Sequence, residues 1–350
     1  MGLVLKANGL TRISGSNTKT NRSRCHHLYE DITMHTRALA IVIASCLTSV
    51  WANAQTDSTY QAPRTEYGQP DLQGVWGTRF NTMLERPEGL PLVLGPEQAA
   101  GFAQAVYQQG GLEGNTDPDI DNFGPPVLAM VKGEYRSSVI VHPENGRLPY
   151  NEFGAQSAAY GYFEGTGFDH PEQRPGVERC IEAWGSPPMR AFSYQLYHGI
   201  VQTPDKIAFF SEENAPLRVI HMDGQGRPDA IRTMEGHSIG RWEGDTLVVE
   251  TTHYNPDIPA RATMGRPMLI SGEARVTERF TRVSDTELFY QYTVTDPVYY
   301  SEPWRGEYSL TRDDSGHIYE YSCHEGNYSM TGALRGERVI EVRADLGITD

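Results

Sequence analysis

From residue 197 onward the chain is cut into short stretches rich in β-branched and aromatic residues: 197–202, 206–211, 218–222, 246–253, 275–282, 287–295, 305–312 and 318–323. Gly, Asp, Asn and Pro separate them, as Thr203-Pro204-Asp205 separates the first two. Many short strands at such spacing bury one face each and pair with sequence neighbours. The fold read from them is mainly β, an antiparallel barrel or sandwich of which a calycin-like barrel is one form. No segment recurs at a fixed period, which disfavours a propeller.

One hairpin fixes a register. With a three-residue loop, Phe280 faces Tyr290, Val276 faces Val294 and Glu278 faces Tyr292, giving one continuous apolar-aromatic face. A two-residue turn at Ser284-Asp285 would break that face. Glu278 then lies inward, where a carboxylate is rare unless paired. Two readings follow for it, a buried ion pair with an Arg or a catalytic carboxylate.

Before residue 197 the signals differ. Met34, Arg37, the uncharged run 38–50 and Ala52-Asn53-Ala54 have the three parts of a secretory signal peptide, so residues 34–54 read as a leader. Residues 1–33 read as untranslated or disordered, and the mature chain is expected to start at Gln55. A rival reading makes Cys46 a lipidation site. Residues 55–70 are a polar lead-in, and residues 71–350 read as one β-rich domain. Asp71-Leu72-Gln73-Gly74-Val75-Trp76-Gly77 suggests an opening strand. One short helix follows, with Pro96 in its first turn, Phe102, Val106 and Tyr107 on one face and Gly110-Gly111 at its end. Asp117, Asp119 and Asp121 alternate as in a calcium loop, but Leu128 stands where a bidentate Glu is needed, so the loop reads as solvated and metal-free. Residues 150–190, rich in Pro and aromatics, read as an ordered excursion over the domain.

Without the six basic and two acidic residues of the first 54 positions, the 30 basic and 45 acidic residues of the chain become 24 and 43, a net charge of −19. Such a surface repels phosphate backbones, which excludes nucleic acid as a natural partner, and the leader is too short to insert stably in a membrane. Cys25 and Cys46 lie in the first 54 residues and are absent from the expected mature chain. Cys180 and Cys323 remain, an even pair in an oxidising compartment, and are expected to be bridged.

Gly236-His237-Ser238-Ile239-Gly240 matches G-x-S-x-G, yet no apolar strand precedes it and no helix follows, so Ser238 is not expected to be a nucleophile. Eight histidines remain in the mature chain, none at a tight metal-ligand spacing. His198, His221, His237 and His253 lie on or beside successive predicted strands and are the best source of groups titrating near neutrality. The candidate site takes His221, His237 and Glu278 as catalytic, with Arg218, Trp242, Tyr292 and His198 binding substrate. Tyr290, Tyr292, Tyr299, Tyr300, Trp304 and Tyr308 read either as barrel wall or as a platform for a sugar or phenolic ring.

Several segments are similar to a group of uncharacterised secreted bacterial proteins. They include Asn145-Gly146-Arg147-Leu148-Pro149, Glu178-Arg179-Cys180, the run from Gly240-Arg241-Trp242-Glu243-Gly244-Asp245 to Thr251, and Tyr319-Glu320-Tyr321-Ser322-Cys323-His324-Glu325-Gly326-Asn327-Tyr328. The resemblance implies export and a single folded unit but no activity. Met222-Asp223-Gly224-Gln225-Gly226-Arg227-Pro228 looks like that group's D-G-R-P turn with two residues inserted. The functional expectation is a cofactor-free lyase, isomerase or hydrolase acting on a sugar-derived or phenolic compound through His and carboxylate acid–base chemistry. A non-catalytic periplasmic ligand-binding protein of calycin type is the alternative.

Overall fold

Strand pairing carries this fold, and it closes on itself. The computed structural model describes residues 60–78, 80–109, 126–159, 166–181, 185–191, 196–213, 217–315 and 317–348, all within one compact unit, Ser58–Asp350. The leader at 34–54, the Gln55 start, the Gly110-Gly111 helix end and the acidic alternation at 117–121 lie outside the described residues.

The first strand, β1 (Gly74–Thr78), is followed by β2 (Val93–Leu94), helix α1 (Pro96–Gln109), β3 (Met130–Val131), β4 (Glu134–Arg136), β5 (Ile140–His142) and helix α2 (Glu152–Ala158). Then come β6 (Leu196–Gln202), β7 (Lys206–Ser211), β8 (Leu217–His221), β9 (His237–Glu243), β10 (Thr246–Thr252), β11 (Arg275–Arg282), β12 (Glu287–Thr295), β13 (Trp304–Asp313) and helix α3 (Ser329–Asp345). Strands β1 and β6 to β13 pair in sequence order, and β13 returns to β1, so nine strands form a closed barrel with β5 attached outside β13. Strands β2, β4 and β3 make a separate small sheet. Of the antiparallel barrel and sandwich that the sequence leaves open, the barrel is present, with one departure from an antiparallel pattern: β8 and β9 run parallel. Parallel neighbours cannot be joined by a tight turn, and residues 222–236, which hold the inserted Gly-rich segment, form the long connection. The β11–β12 register is the one read from the sequence, with Phe280 opposite Tyr290, Glu278 opposite Tyr292 and Val276 opposite Val294.

Alternation along each strand divides inside from outside. In the interior, Ile200, Ile207, Ile220, Leu247, Val249 and Phe280 are at most 2% exposed and make an apolar half. Toward the end where β1, β7 and β10 finish, the inward side chains turn polar: His198, Ser211, Arg218, Ser238, Thr251 and Glu278, all buried. The aromatic cluster packs there as wall. Tyr290 lies 5.1 Å from Tyr308 and 5.4 Å from Tyr292, ring centre to ring centre, and Tyr292 meets Trp304 at 5.6 Å. Tyr292 has room only because residue 306 on the next strand is glycine; a Cβ there would overlap its ring.

Residues 185–191 cross this polar end as a strap. Tyr290 Oη accepts from the Met189 amide at 2.9 Å, and Tyr308 Oη donates to the Met189 carbonyl at 3.1 Å. Tyr254 Oη donates to the Pro187 carbonyl at 3.1 Å. The strap is part of the ordered excursion expected over the domain, and Met189 is fully buried by it.

Several elements differ from the sequence reading. Residues 318–323 form no strand; that segment is held by the Tyr319 amide on Glu212 Oε1 at 2.9 Å and by its cysteine. Strand β9 is present where His-Ser-Ile-Gly-Arg-Trp-Glu shows no β-branched run. Helices α2 and α3 were unexpected. Helix α3 holds Gly332 and Gly336 in its interior and buries no residue, so neither propensity nor an apolar stripe announces it.

Cys180 and Cys323 are bonded, with Cα atoms 5.7 Å apart and 143 residues between them in sequence. A loop of that length sets a chain-entropy limit of about 5 kcal/mol on the stabilisation. Calorimetry of oxidised and reduced protein should show the reduced form melting lower, with a deficit inside that limit; equal melting temperatures would contradict a stabilising bridge.

Candidate functional site

Four of the seven predicted site residues fall into two pairs on opposite faces of one sheet. Arg218 and Glu278 are 3% and 0% exposed. Both Arg218 Nη1 (3.1 Å) and Nη2 donate to the Glu278 carboxylate, a bidentate fork. Arg218 Nε donates to Ser238 Oγ at 3.0 Å and Nη2 to Thr251 Oγ1 at 3.1 Å, and the two hydroxyls lie 2.8 Å apart. Tyr290 Oη donates to Glu278 Oε1 at 2.8 Å. Every group in this network is occupied by another. Glu278 is thereby placed as the counter-ion of Arg218, and Arg218 is not presented to a substrate. Ser238 sits mid-network on a strand, with no elbow and no helix behind it. The flanking Gly236 is glycine for a local reason: φ is +68°, and a Cβ would meet the Thr252 carbonyl oxygen at 2.6 Å.

His221 stands three residues after Arg218, and His237 one before Ser238. Odd offsets along a strand reverse the face, so both imidazoles point outward, away from Arg218 and Glu278. The four were expected to share one pocket; they do not. The two imidazoles do meet each other, with ring centres 4.8 Å apart, and His253 joins at 6.1 Å from His237. The connection 222–236 covers them. His237 Nε2 lies 2.8 Å from the Gln225 carbonyl. A carbonyl only accepts, so Nε2 carries the proton and Nδ1 keeps the lone pair. Burial holds the His237 pKa below the ordinary imidazole value; Arg227, His221 and His253 push it the same way against the Gln225 bond. His237 is therefore neutral at pH 7. His253 Nε2 lies 3.2 Å from Asp229 Oδ1 and Nδ1 lies 2.7 Å from Thr252 Oγ1. Carboxylate and hydroxyl together orient that ring. The His253 backbone is left-handed, φ +61°, an uncommon and strained state for a side-chain-bearing residue. His221 Nδ1 is buried without a hydrogen-bond partner among the described residues. Sequence reasoning gave no role to Gln225 or Asp229 and left Arg227 unassigned; all three lie in the connection 222–236, whose two-residue insertion was the available signal.

The other predicted binding residues are scattered. Trp242 is inward and packs on the apolar core, five positions along β9 from His237, about 17 Å at strand rise. Tyr292 is core wall. His198 is 1% exposed, with Nδ1 2.8 Å from Ser211 Oγ. Among the described residues no group of three or more His, Cys, Asp or Glu side chains is arranged to hold a metal ion. No helix there is long and apolar enough to cross a membrane. No protein-family model matches the chain, and no curated protein matches it either.

Two predictions follow from burial. Glu278→Gln leaves a guanidinium uncompensated in the barrel and should cost about 3–5 kcal/mol by denaturant titration, whereas Arg218→Met with Glu278→Leu together should cost far less. A single replacement without effect would show that the pair is not charged. Burial lowers the His198 pKa to about 4, against about 6.5 in an unfolded chain. The unfolded state alone then binds the proton between these values, so stability falls as pH drops from about 6.5 to about 4, by roughly 3 kcal/mol. Unfolding curves of His198→Gln across that range should lack this component.

Proposed function

We propose that the protein is an exported enzyme that moves a proton on a small hydroxylated molecule, sugar-derived or phenolic, at the outer-face imidazole cluster. The observation that carries this reading is the meeting of His221, His237 and His253 beneath one loop, with His237 Nδ1 left as the free lone pair. A neutral imidazole beside a guanidinium is suited to act as a general base on a substrate that becomes anionic. Arg227 disfavours a proton on His237 and favours the developing enolate, alkoxide or phenolate. Once protonated at Nδ1, His237 returns that proton to the product, with His253 held beside it by Asp229. Reprotonation at a second atom gives an isomerase, loss of a leaving group a lyase, and activation of water a hydrolase. Glu278 has no part in this scheme. The Cys180–Cys323 bridge and the signal-like run at 34–54 support a periplasmic or secreted location. The calycin-type carrier reading has less support, because the inward side chains at one end of the barrel are polar, where a carrier of apolar ligands would present an apolar wall.

The test is a metabolite pool incubated with mature protein purified from the periplasm, its N-terminus checked against Gln55, and read by mass spectrometry. One compound should be consumed, and His237→Gln should slow this by about 10²–10⁴-fold while the far-ultraviolet spectrum and melting temperature stay near wild type. The rate should rise with pH and be half-maximal below about pH 6.5, because the base form is the active one. A pool left unchanged by wild type, or a fully active His237→Gln, would overturn the proposal.

A further inference from the structure

The underside of the strap gathers polar groups that the imidazole cluster does not use. Arg261 is 3% exposed and makes no ion pair among the described residues. Its Nη1 donates to the carbonyls of Pro187 at 2.7 Å and Ser186 at 3.5 Å, and its guanidinium lies 6.0 Å from the Tyr254 ring centre. Glu235 attracts Arg261 through space without touching it. Glu235 Oε1 accepts from Ser186 Oγ at 2.6 Å, and Oε2 is buried with no partner. At the start of the strap, a Cβ on Gly185 would lie 3.6 Å from His198 Nδ1; the Nε2 of that fully enclosed ring has no partner. A buried guanidinium without a touching carboxylate and a buried carboxylate oxygen without a donor are each costly. Two such groups on the same strap residues, Ser186 and Pro187, are accounted for by one further molecule that supplies an anion to the first and an N–H or O–H to the second.

We propose that the barrel mouth beneath residues 185–191 is a second binding site, for a small hydroxy acid whose carboxylate pairs with Arg261 and whose hydroxyl donates to Glu235 Oε2. The carboxylate takes the place of the Pro187 carbonyl on Nη1 and completes the fork on the same guanidinium. The strap yields to admit the ligand, and His198 walls the site at its Gly185 end. The two sites stand back to back and are separate: the left-handed turn at Gly236 sends Glu235 under the strap and His237 outside, and Tyr254 turns inward directly after His253.

The probes are glycolate, lactate and malate, with propionate lacking the hydroxyl and lactamide lacking the charge, titrated calorimetrically into the full mature chain. At least one hydroxy acid should bind saturably, propionate about tenfold or more weaker than lactate, and lactamide not at all. Glu235→Gln keeps the bond from Ser186 and should remove the advantage of lactate over propionate. Arg261→Lys should weaken every acid about tenfold or more; should it fail to fold, the Glu235→Gln comparison still decides. His237→Gln should leave all affinities unchanged, so that failure of the catalytic proposal and failure of this one are told apart. No binding by any of the three acids, equal binding of lactamide, or an unchanged lactate preference in Glu235→Gln would each overturn the site.

Discussion

A guanidinium and a carboxylate removed from water together organise the polar half of this barrel. Neither Arg218 nor Glu278 tolerates the interior alone, since an isolated charge there costs several kcal/mol. Their fork in turn needs acceptors and donors at its edges, which Ser238, Thr251 and Tyr290 provide. Those residues sit on β9, β10 and β12, so the ion pair, held by β8 and β11, ties five of nine strands at one level. An apolar filling of the same volume would hold the wall as firmly, but it would leave the register of β8 against β9 less constrained. That seam is the one parallel pairing and joins only Ile220 with Ser238 and His221 with Ile239.

The strap depends on the same network. Tyr290 donates to Glu278 and accepts from the Met189 amide, so the hydroxyl that satisfies the carboxylate also positions the covering segment. Tyr308 and Tyr254 repeat the device on the Met189 and Pro187 carbonyls. A segment of irregular backbone buried over a barrel mouth must find partners for its amides and carbonyls, and phenol hydroxyls at the ends of rigid rings supply them. This explains why the cluster is tyrosine where phenylalanine would pack equally well.

Outside the wall, chemistry is set by the crossover. The parallel step from β8 to β9 forces a long connection, and that connection carries Gln225, Arg227 and Asp229 over the three imidazoles. The tautomer of His237 and the orientation of His253 come from groups on this loop or beside it, while the low basicity of His237 comes first from burial, with Arg227 adding to it. The inner network fixes where β8 and β9 run; the crossover decides what their outer faces can do.

Much of the wall was legible in the sequence because alternation with period two is a local property. The strands at 206–211, 275–282 and 287–295 have the bounds read from their residues, and Phe280, Tyr290 and Glu278 take the expected register. The inward carboxylate with an arginine partner was likewise among the two readings open for Glu278. Strand β9 was hidden because its inward positions are Ser238, Gly240 and Trp242, which serve an ion pair, a close approach and the core rather than β propensity. Sequence could bring His221 and His237 near one another, but not say which face they share. That depends on the count of residues from Arg218 and Ser238 to each ring, read against strands whose start points only the parallel seam defines. The strap's contacts, the covering loop and the pairing of β13 with β1 join residues far apart in the chain. No local pattern encodes such closures, because their free energy comes from burial and hydrogen bonds that exist only once the barrel is shut.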